Sequence, residues 1–345
     1  MSEVKPISPW KASPKDRLRD AAIFLASILS TFIMVEVTPL KGKLAYFVLF
    51  FIVYAFATGL LSYLRYGRMT AKDSAIKVFI AGGALLTILP IVSILATIIS
   101  KGYKGIKLNI FTNDMSMATP TDPLTNGGLL HALVGTLLLV AVALVFSVPI
   151  GILTALYLTE IKGRFTRPIK FLVQAMSGVP SIVAGLFILS AIIYPVTKEN
   201  SGLMGSLALT ILMIPTVART AEEVLNLIPQ DLREAGTALG GTQWRTVAMI
   251  VVPAAKSGLI TAMILGVARI AGETAPLLLV TGGGDRINGN PLSEPMGSLP
   301  FYIWKSFGAG SEEAITRAWA GLLVLVLLVL ILFSTARFLS TRKAA

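Results

Sequence analysis

Eight runs of roughly twenty mostly apolar residues recur along this chain, at 21–39, 44–63, 78–99, 132–158, 169–195, 203–221, 257–280 and 318–338. About 20 such residues are what an α-helix needs to cross the hydrocarbon core of a bilayer. No other feature constrains the fold so strongly, because lipid leaves backbone N–H and C=O groups no partners outside the segment itself. The runs predict an all-α polytopic membrane protein. Charged residues are only 14% of the 345, against about a quarter in soluble domains.

The charge that remains is unevenly placed. Thirty Lys and Arg face 18 Asp and Glu, a net charge of +12. With the N-terminus inside, twenty of the thirty fall in cytoplasmic stretches and nine in outer loops, with Arg269 left inside a span. That asymmetry fits the positive-inside rule and puts both termini in the cytoplasm. The basic excess therefore points to the lipid bilayer and not to nucleic acid. With no cysteine and a single histidine, His131, there is no material for a disulfide framework or a Cys/His metal site, and no cofactor is expected on this chain. No GxxxxGK[ST] phosphate loop occurs, so the chain is expected not to be an enzyme that hydrolyses ATP by that route. Lys5, Lys11, Lys15, Arg17 and Arg19 precede a run of full spanning length without a small-residue cleavage site, unlike a cleavable signal peptide.

Two outer loops are long: 100–131, rich in Pro, Thr, Asp and Gly, and 281–317, which opens on "TGGGDRINGNP". The cytoplasmic stretch at about 222–256 reads instead as helix, break and helix. Within it stands "EAGTALGGTQWRTVAMIVVP", 234–253. Asp231 and Glu234 have the spacing of a capping box; Leu232, Ala235, Ala238 and Leu239 share a face; Gly240-Gly241 supplies the reversal. On spacing alone this is either a docking element or a plain re-entry between two spans.

The register of Glu234, Ala235, Gly240, Ile250 and Pro253 resembles the EAA…G…I-x-L-P signature of ABC importer permeases, with Gly236 for the second alanine and Val252 for the leucine. Further stretches, "GVPSIVAGL" (178–186), "IPTVARTAEEVL" (214–225), "LREAGTALGGTQW" (232–244) and "ARIAGETAPLL" (268–278), are similar to the phosphate (Pst) type, and to its PstA subunits most closely. The resemblance runs from about residue 80 to the C-terminus. It implies six helices forming a type I ABC importer permease core (78–345), plus two extra N-terminal helices in an extension (1–77) of open role. It also implies a prokaryotic plasma membrane location and a set of partners: a homologous PstC-type permease subunit, PstB-type ATPases, a PstS-type extracytoplasmic binding protein and inorganic phosphate. Glu234, Ala235, Leu239, Gly240 and Pro253 would then serve ATPase coupling.

Arg269 and Glu273 lie near the middle of the 257–280 run, amid Gly266, Ala268, Ala271, Gly272 and Ala275. As one helix, that run would be about 36 Å long and would set the two charges on one face, with Pro276 kinking it just beyond. Intramembrane charges are functional candidates. Two readings stand: a neutralised pair that pins helices together, or a pathway in which Arg269 meets phosphate through its planar fork while Glu273 accepts a proton-borne hydrogen bond that sulfate lacks. Arg219, near the inner end of its run with Glu222 and Glu223 following, either lines the pathway or snorkels to headgroups. Glu36 and His131 fall near outer ends, within reach of water. A permease for sulfate or molybdate and an ATP-independent secondary transporter remain the rival functions.

Overall fold

The computed structural model describes residues 14–39 and 42–342. Among these the chain is helical, with one isolated bridge, Gly282–Met296, in place of any strand. Seven helices are long and apolar enough to cross a membrane, and an eighth candidate span is bent. Two compact units divide at Ala96/Thr97, inside the helix that carries the third run.

The first unit holds α1 (Pro14–Val37), α2 (Lys43–Tyr66) and most of α3 (Arg68–Gly102). Phe24 of α1 meets Phe50 and Tyr54 of α2 edge-on, at centroid distances of 5.4 and 5.8 Å. Gly82 of α3 gives room to the Phe51 ring, which would stand 2.9 Å from any Cβ there. Outward faces are strongly apolar: Leu25, Leu29, Phe56 and Phe79 are all exposed, as suits side chains whose solvent is lipid.

The second unit contains α4 (Leu108–Thr112), α5 (Leu130–Leu156), α6 (Thr166–Ser177), α7 (Ser181–Ile188), α8 (Gly202–Asn226), α9 (Gln230–Ala238), α10 (Gln243–Thr246), α11 (Val252–Ala271), α12 (Ala275–Val280), α13 (Leu299–Ala309) and α14 (Glu312–Arg342). Wide π-type turns extend α5 through Tyr157–Ile161, extend α7 through Leu189–Thr197 and join α10 to α11 through Val247–Val251. α8 is the axis: two thirds of its spanning window is buried. Glycines let its neighbours approach. A Cβ on Gly151 of α5 would lie 2.8 Å from Val217, and one on Gly266 of α11 would lie 2.6 Å from Met213. Small residues at such crossings bring backbones together where no hydrophobic force between helices operates.

Two of the expected spans are broken. The 169–195 run bends by 104° between α6 and α7. The cause is Gly178-Val179-Pro180: a residue before proline is pushed out of the helical region, and Pro180 takes the cap position of α7. The 257–280 run is also two pieces. α11 ends at Ala271, Gly272 caps it, and α12 restarts at Ala275. Pro276 has no N–H for the Gly272 carbonyl and its ring crowds it, so the helix opens there instead of merely kinking. The true long helix of this region is Gln243–Ala271, which starts well before the expected run.

The two long loops, 100–131 and 281–317, are knitted to each other and to α5 at the opposite end from α9. Met115 N–H donates to Asp285 O (2.9 Å), Ile287 N–H to the Asp114 carboxylate (3.2 Å), and Leu299 N–H to Thr136 Oγ1 (2.8 Å). The Ser116 hydroxyl, followed by backbone donors, holds the Asp114 carboxyl below the usual carboxylate range. Arg317 of α14, 2% exposed, donates through Nη2 to the carbonyls of Asp122, Pro123 and Asn126 at 3.2, 2.7 and 2.6 Å. His131 is not within reach of water as expected: it is 3% exposed and stands edge-on to Tyr302.

Candidate functional site

The α9 end is built around an ion pair. α8 stops at Asn226, the chain turns through Leu227–Pro229, and α9 begins with Pro229 as its cap. No side chain caps α9; Asp231 is already inside the helix, so the capping box read from the spacing does not form. Arg233, on the inner face, meets Glu160 at the end of α5: Nη2 to Oε1 at 2.8 Å and Nε to Oε2 at 3.0 Å. Arg233 also donates to the Ile228 and Leu225 carbonyls at 2.6 and 2.9 Å. The two side chains are 18% and 6% exposed. Glu160 raises Arg233 above its ordinary pKa through this hydrogen bond. Gln243 adds a bond from Nε2 to the Glu160 carbonyl. A cavity of about 620 Å³ runs beneath α9, past Glu160, Asn226, Arg233 and Gln243.

The outer face of α9 is different. Glu234, Ala235, Leu239 and Gly240 are all exposed, and Leu239 is 87% exposed. Gly240 has φ +80°, a conformation open to glycine without strain, and its N–H closes the turn on Thr237 O at 3.0 Å. Gly236 has a packing cause: an alanine Cβ would lie 2.5 Å from Thr246 Cγ2. Pro253, by contrast, is not on α9. It stands where the π-type turn Val247–Val251 passes into α11, ten residues into the Gln243–Ala271 helix.

In the middle of the bundle, Arg269 of α11 is exposed at the protein surface and donates through Nη1 to Thr216 Oγ1 of α8 at 2.8 Å. The Arg269–Glu273 pair does not form: among the described residues no carboxylate lies within ion-pair distance of Arg269. Glu273 sits in the α11–α12 break, so the two do not share a helix face. Arg219 stands one turn along α8 from Thr216, exposed and 3.9 Å from Glu223; Glu222 turns away to Lys170 at 2.8 Å. Thr216, Arg219, Thr220 and Glu223 form a polar stripe, since residues three and four apart share a helix face. It leads from Arg269 toward the α9 end.

Sequence reasoning missed Arg233, Glu160 and Thr216. Glu160 carried a signal: a carboxylate at the end of an apolar run calls for a buried partner. Its partner lies 73 residues away, which no local pattern shows. Among the described residues no cluster of His, Cys, Asp and Glu could hold a metal ion.

The unit thus combines a buried central span, a broken neighbouring span and a short exposed helix at one end. Residues 147–344 match the family of binding-protein-dependent transport system inner membrane components. The chain is 37% identical over 283 residues to the phosphate transport system permease protein PstA of Mycobacterium leprae, covering 81% of this chain and 92% of that one. It is 39% identical over 254 residues to PstA of Pasteurella multocida, covering 73% and 88%. A chain of the MetNI methionine ABC transporter, in an inward-facing crystal form, shares the fold at TM-score 0.51 and 20% identity, over 61% of this chain and 92% of that one. The chain belongs to the PstA-type permeases of this inner-membrane transport family.

Proposed function

We propose that the chain is the PstA-type subunit of an ATP-driven phosphate importer in a prokaryotic plasma membrane, with both termini cytoplasmic. It shares its pathway with a PstC-type permease subunit. PstB-type ATPases drive it, and a PstS-type extracytoplasmic protein delivers phosphate. The chain needs no cofactor and transforms no substrate. The positive-inside bias supports the orientation, and the named relatives support phosphate.

One observation carries the site reading. Arg269 donates to a single hydroxyl and has no carboxylate partner among the described residues, so most of its donors and all of its charge are available to an anion. Glu273, released from the helix by the break, is the acceptor for the proton that phosphate carries at neutral pH. Arg219 continues the pathway along α8. At the α9 end, Glu234, Ala235, Leu239 and Gly240 present the surface that meets the ATPase, and Pro253 lies within the spanning helix Gln243–Ala271 that the docking element moves. The Arg233–Glu160 pair ties that element to α5, so nucleotide-driven motion reaches two spans at once.

The test is uptake of labelled phosphate in cells lacking their own importer and supplied with the cognate set. The account expects uptake that stops on ATP depletion and is not competed by sulfate or molybdate. Uptake that survives ATP depletion would make the chain part of a secondary transporter. Competition by sulfate would assign a different anion.

A further inference from the structure

The first unit contains a basic cavity that neither the pathway nor the docking surface uses. It is about 280 Å³, enclosed by α1, the end of α2 and the start of α3. Its lining includes Arg19, Tyr54, Ser62, Arg65, Ser74 and Lys77. Ser62 and Ser74 hydroxyls lie 2.8 Å apart and join α2 to α3 within it. The one acid in the lining, Asp20, is exposed and bonded to Arg19 at 3.2 Å. Among the described residues no carboxylate lies within ion-pair distance of Arg65 or Lys77, and the lining holds three cations, Arg19, Arg65 and Lys77, against the one carboxylate of Asp20. The family match starts only at residue 147, far beyond it.

The surroundings define what would enter. On one side the exposed faces of α2 and α3 are apolar, with Leu60, Leu64, Phe79 and Ile80 outward, a surface for acyl chains. On the other side the charges Arg65, Arg68, Lys72 and Lys77 begin. The cavity therefore lies at the level of the headgroups, on the side that the positive-inside bias makes cytoplasmic, where the leaflet is anionic. Its volume falls just short of the roughly 300 Å³ at which pockets for drug-sized ligands begin, a size for a headgroup and not for a nucleotide. Ile23, Leu61 and Val78 add an apolar edge. We infer that this cavity binds a phosphate group at the membrane surface, with Arg65 and Lys77 as its cations and the Ser62–Ser74 pair, which keeps one hydroxyl hydrogen free of its mutual bond, as hydrogen-bond donor, and that an anionic phospholipid supplies it.

The experiment uses the full chain, purified in detergent, and native mass spectrometry with added phosphatidylglycerol, cardiolipin or phosphatidylcholine, and separately with inorganic phosphate. Three chains are compared: native, R65A/K77A, and the charge-matched R68A/K72A, whose changed residues lie outside the cavity lining. Each basic contact to an anionic headgroup is worth a factor of about 5. Binding of the two anionic lipids should therefore fall roughly 20-fold in R65A/K77A and by much less in R68A/K72A, with phosphatidylcholine unaffected. If inorganic phosphate instead shows that pattern, the site holds but its ligand is the free ion. Equal losses in both variants would reduce the effect to general surface charge and overturn the site, as would unchanged binding in R65A/K77A. An S62A/S74A chain, which keeps every charge, guards against misfolding: it should lose a smaller share of the same binding, and full retention would also count against the cavity.

Discussion

Arg233 and Arg269 stand on neighbouring parts of one chain and are treated in opposite ways. Arg233 is enclosed, forked onto the Glu160 carboxylate and bonded to two backbone carbonyls. Arg269 is exposed and touches one hydroxyl. A guanidinium whose donors are all engaged fixes structure; one whose donors are mostly unengaged, inside a bilayer, is available to a ligand. On the proposed function, the contrast gives rigidity to the α9 end and anion handling to Arg269. It also separates the two in mutational effect, since damage at Arg233 should appear as lost stability and damage at Arg269 as lost transport.

The largest structural effect is expected from Glu160→Ala, which strands the Arg233 charge. Removing one partner of a buried pair costs about 3–5 kcal/mol, and thermal unfolding together with loss of ATPase co-purification would register it. The reversed pair E160R/R233E should recover part of that loss; no recovery would mean that the carbonyl bonds, and not the ion pair, hold α9. Gly236→Ala comes next, because its Cβ meets Thr246 at 2.5 Å. Overpacking of this kind costs about 1–3 kcal/mol and should loosen α9 while leaving the outer loops intact. Arg317→Met supplies the comparison from the other end of the bundle. It removes three carbonyl-bound contacts, a loss of about 1–3 kcal/mol, and limited proteolysis should then cut at 119–127 and spare the α9 end. Arg269→Gln should be smallest in stability, within about 0.5 kcal/mol of the native chain, as for a surface change that breaks no buried network.

Most of the spanning pattern was legible in the sequence, because twenty-residue apolar runs have few other uses. The breaks were not, although their residues were in view. Gly178-Val179-Pro180 and Gly272 with Pro276 sit inside runs whose apolarity never falls, so hydropathy bridges the gaps that backbone sterics open. The pairing of Arg269 with Glu273 followed from assuming an unbroken helix and failed with it. Gly236 looked like a mild departure from a motif; the Thr246 side chain against it makes glycine a requirement. Arg233 directly precedes the motif glutamate yet gave no sign of its role, since Glu160 belongs to another span. The outer loops read as turn formers, and only tertiary contacts such as Asp114 with Ile287 turn them into a cap.

The most direct test is phosphate uptake by the Arg269→Gln chain in the complete cognate assembly, with co-purification showing that the assembly is intact. The expected result is that the complex forms, unfolds at the native temperature and transports little or no phosphate. Normal uptake from an intact complex would contradict it, and would leave Arg269 as a hydrogen-bond donor that holds α11 to Thr216.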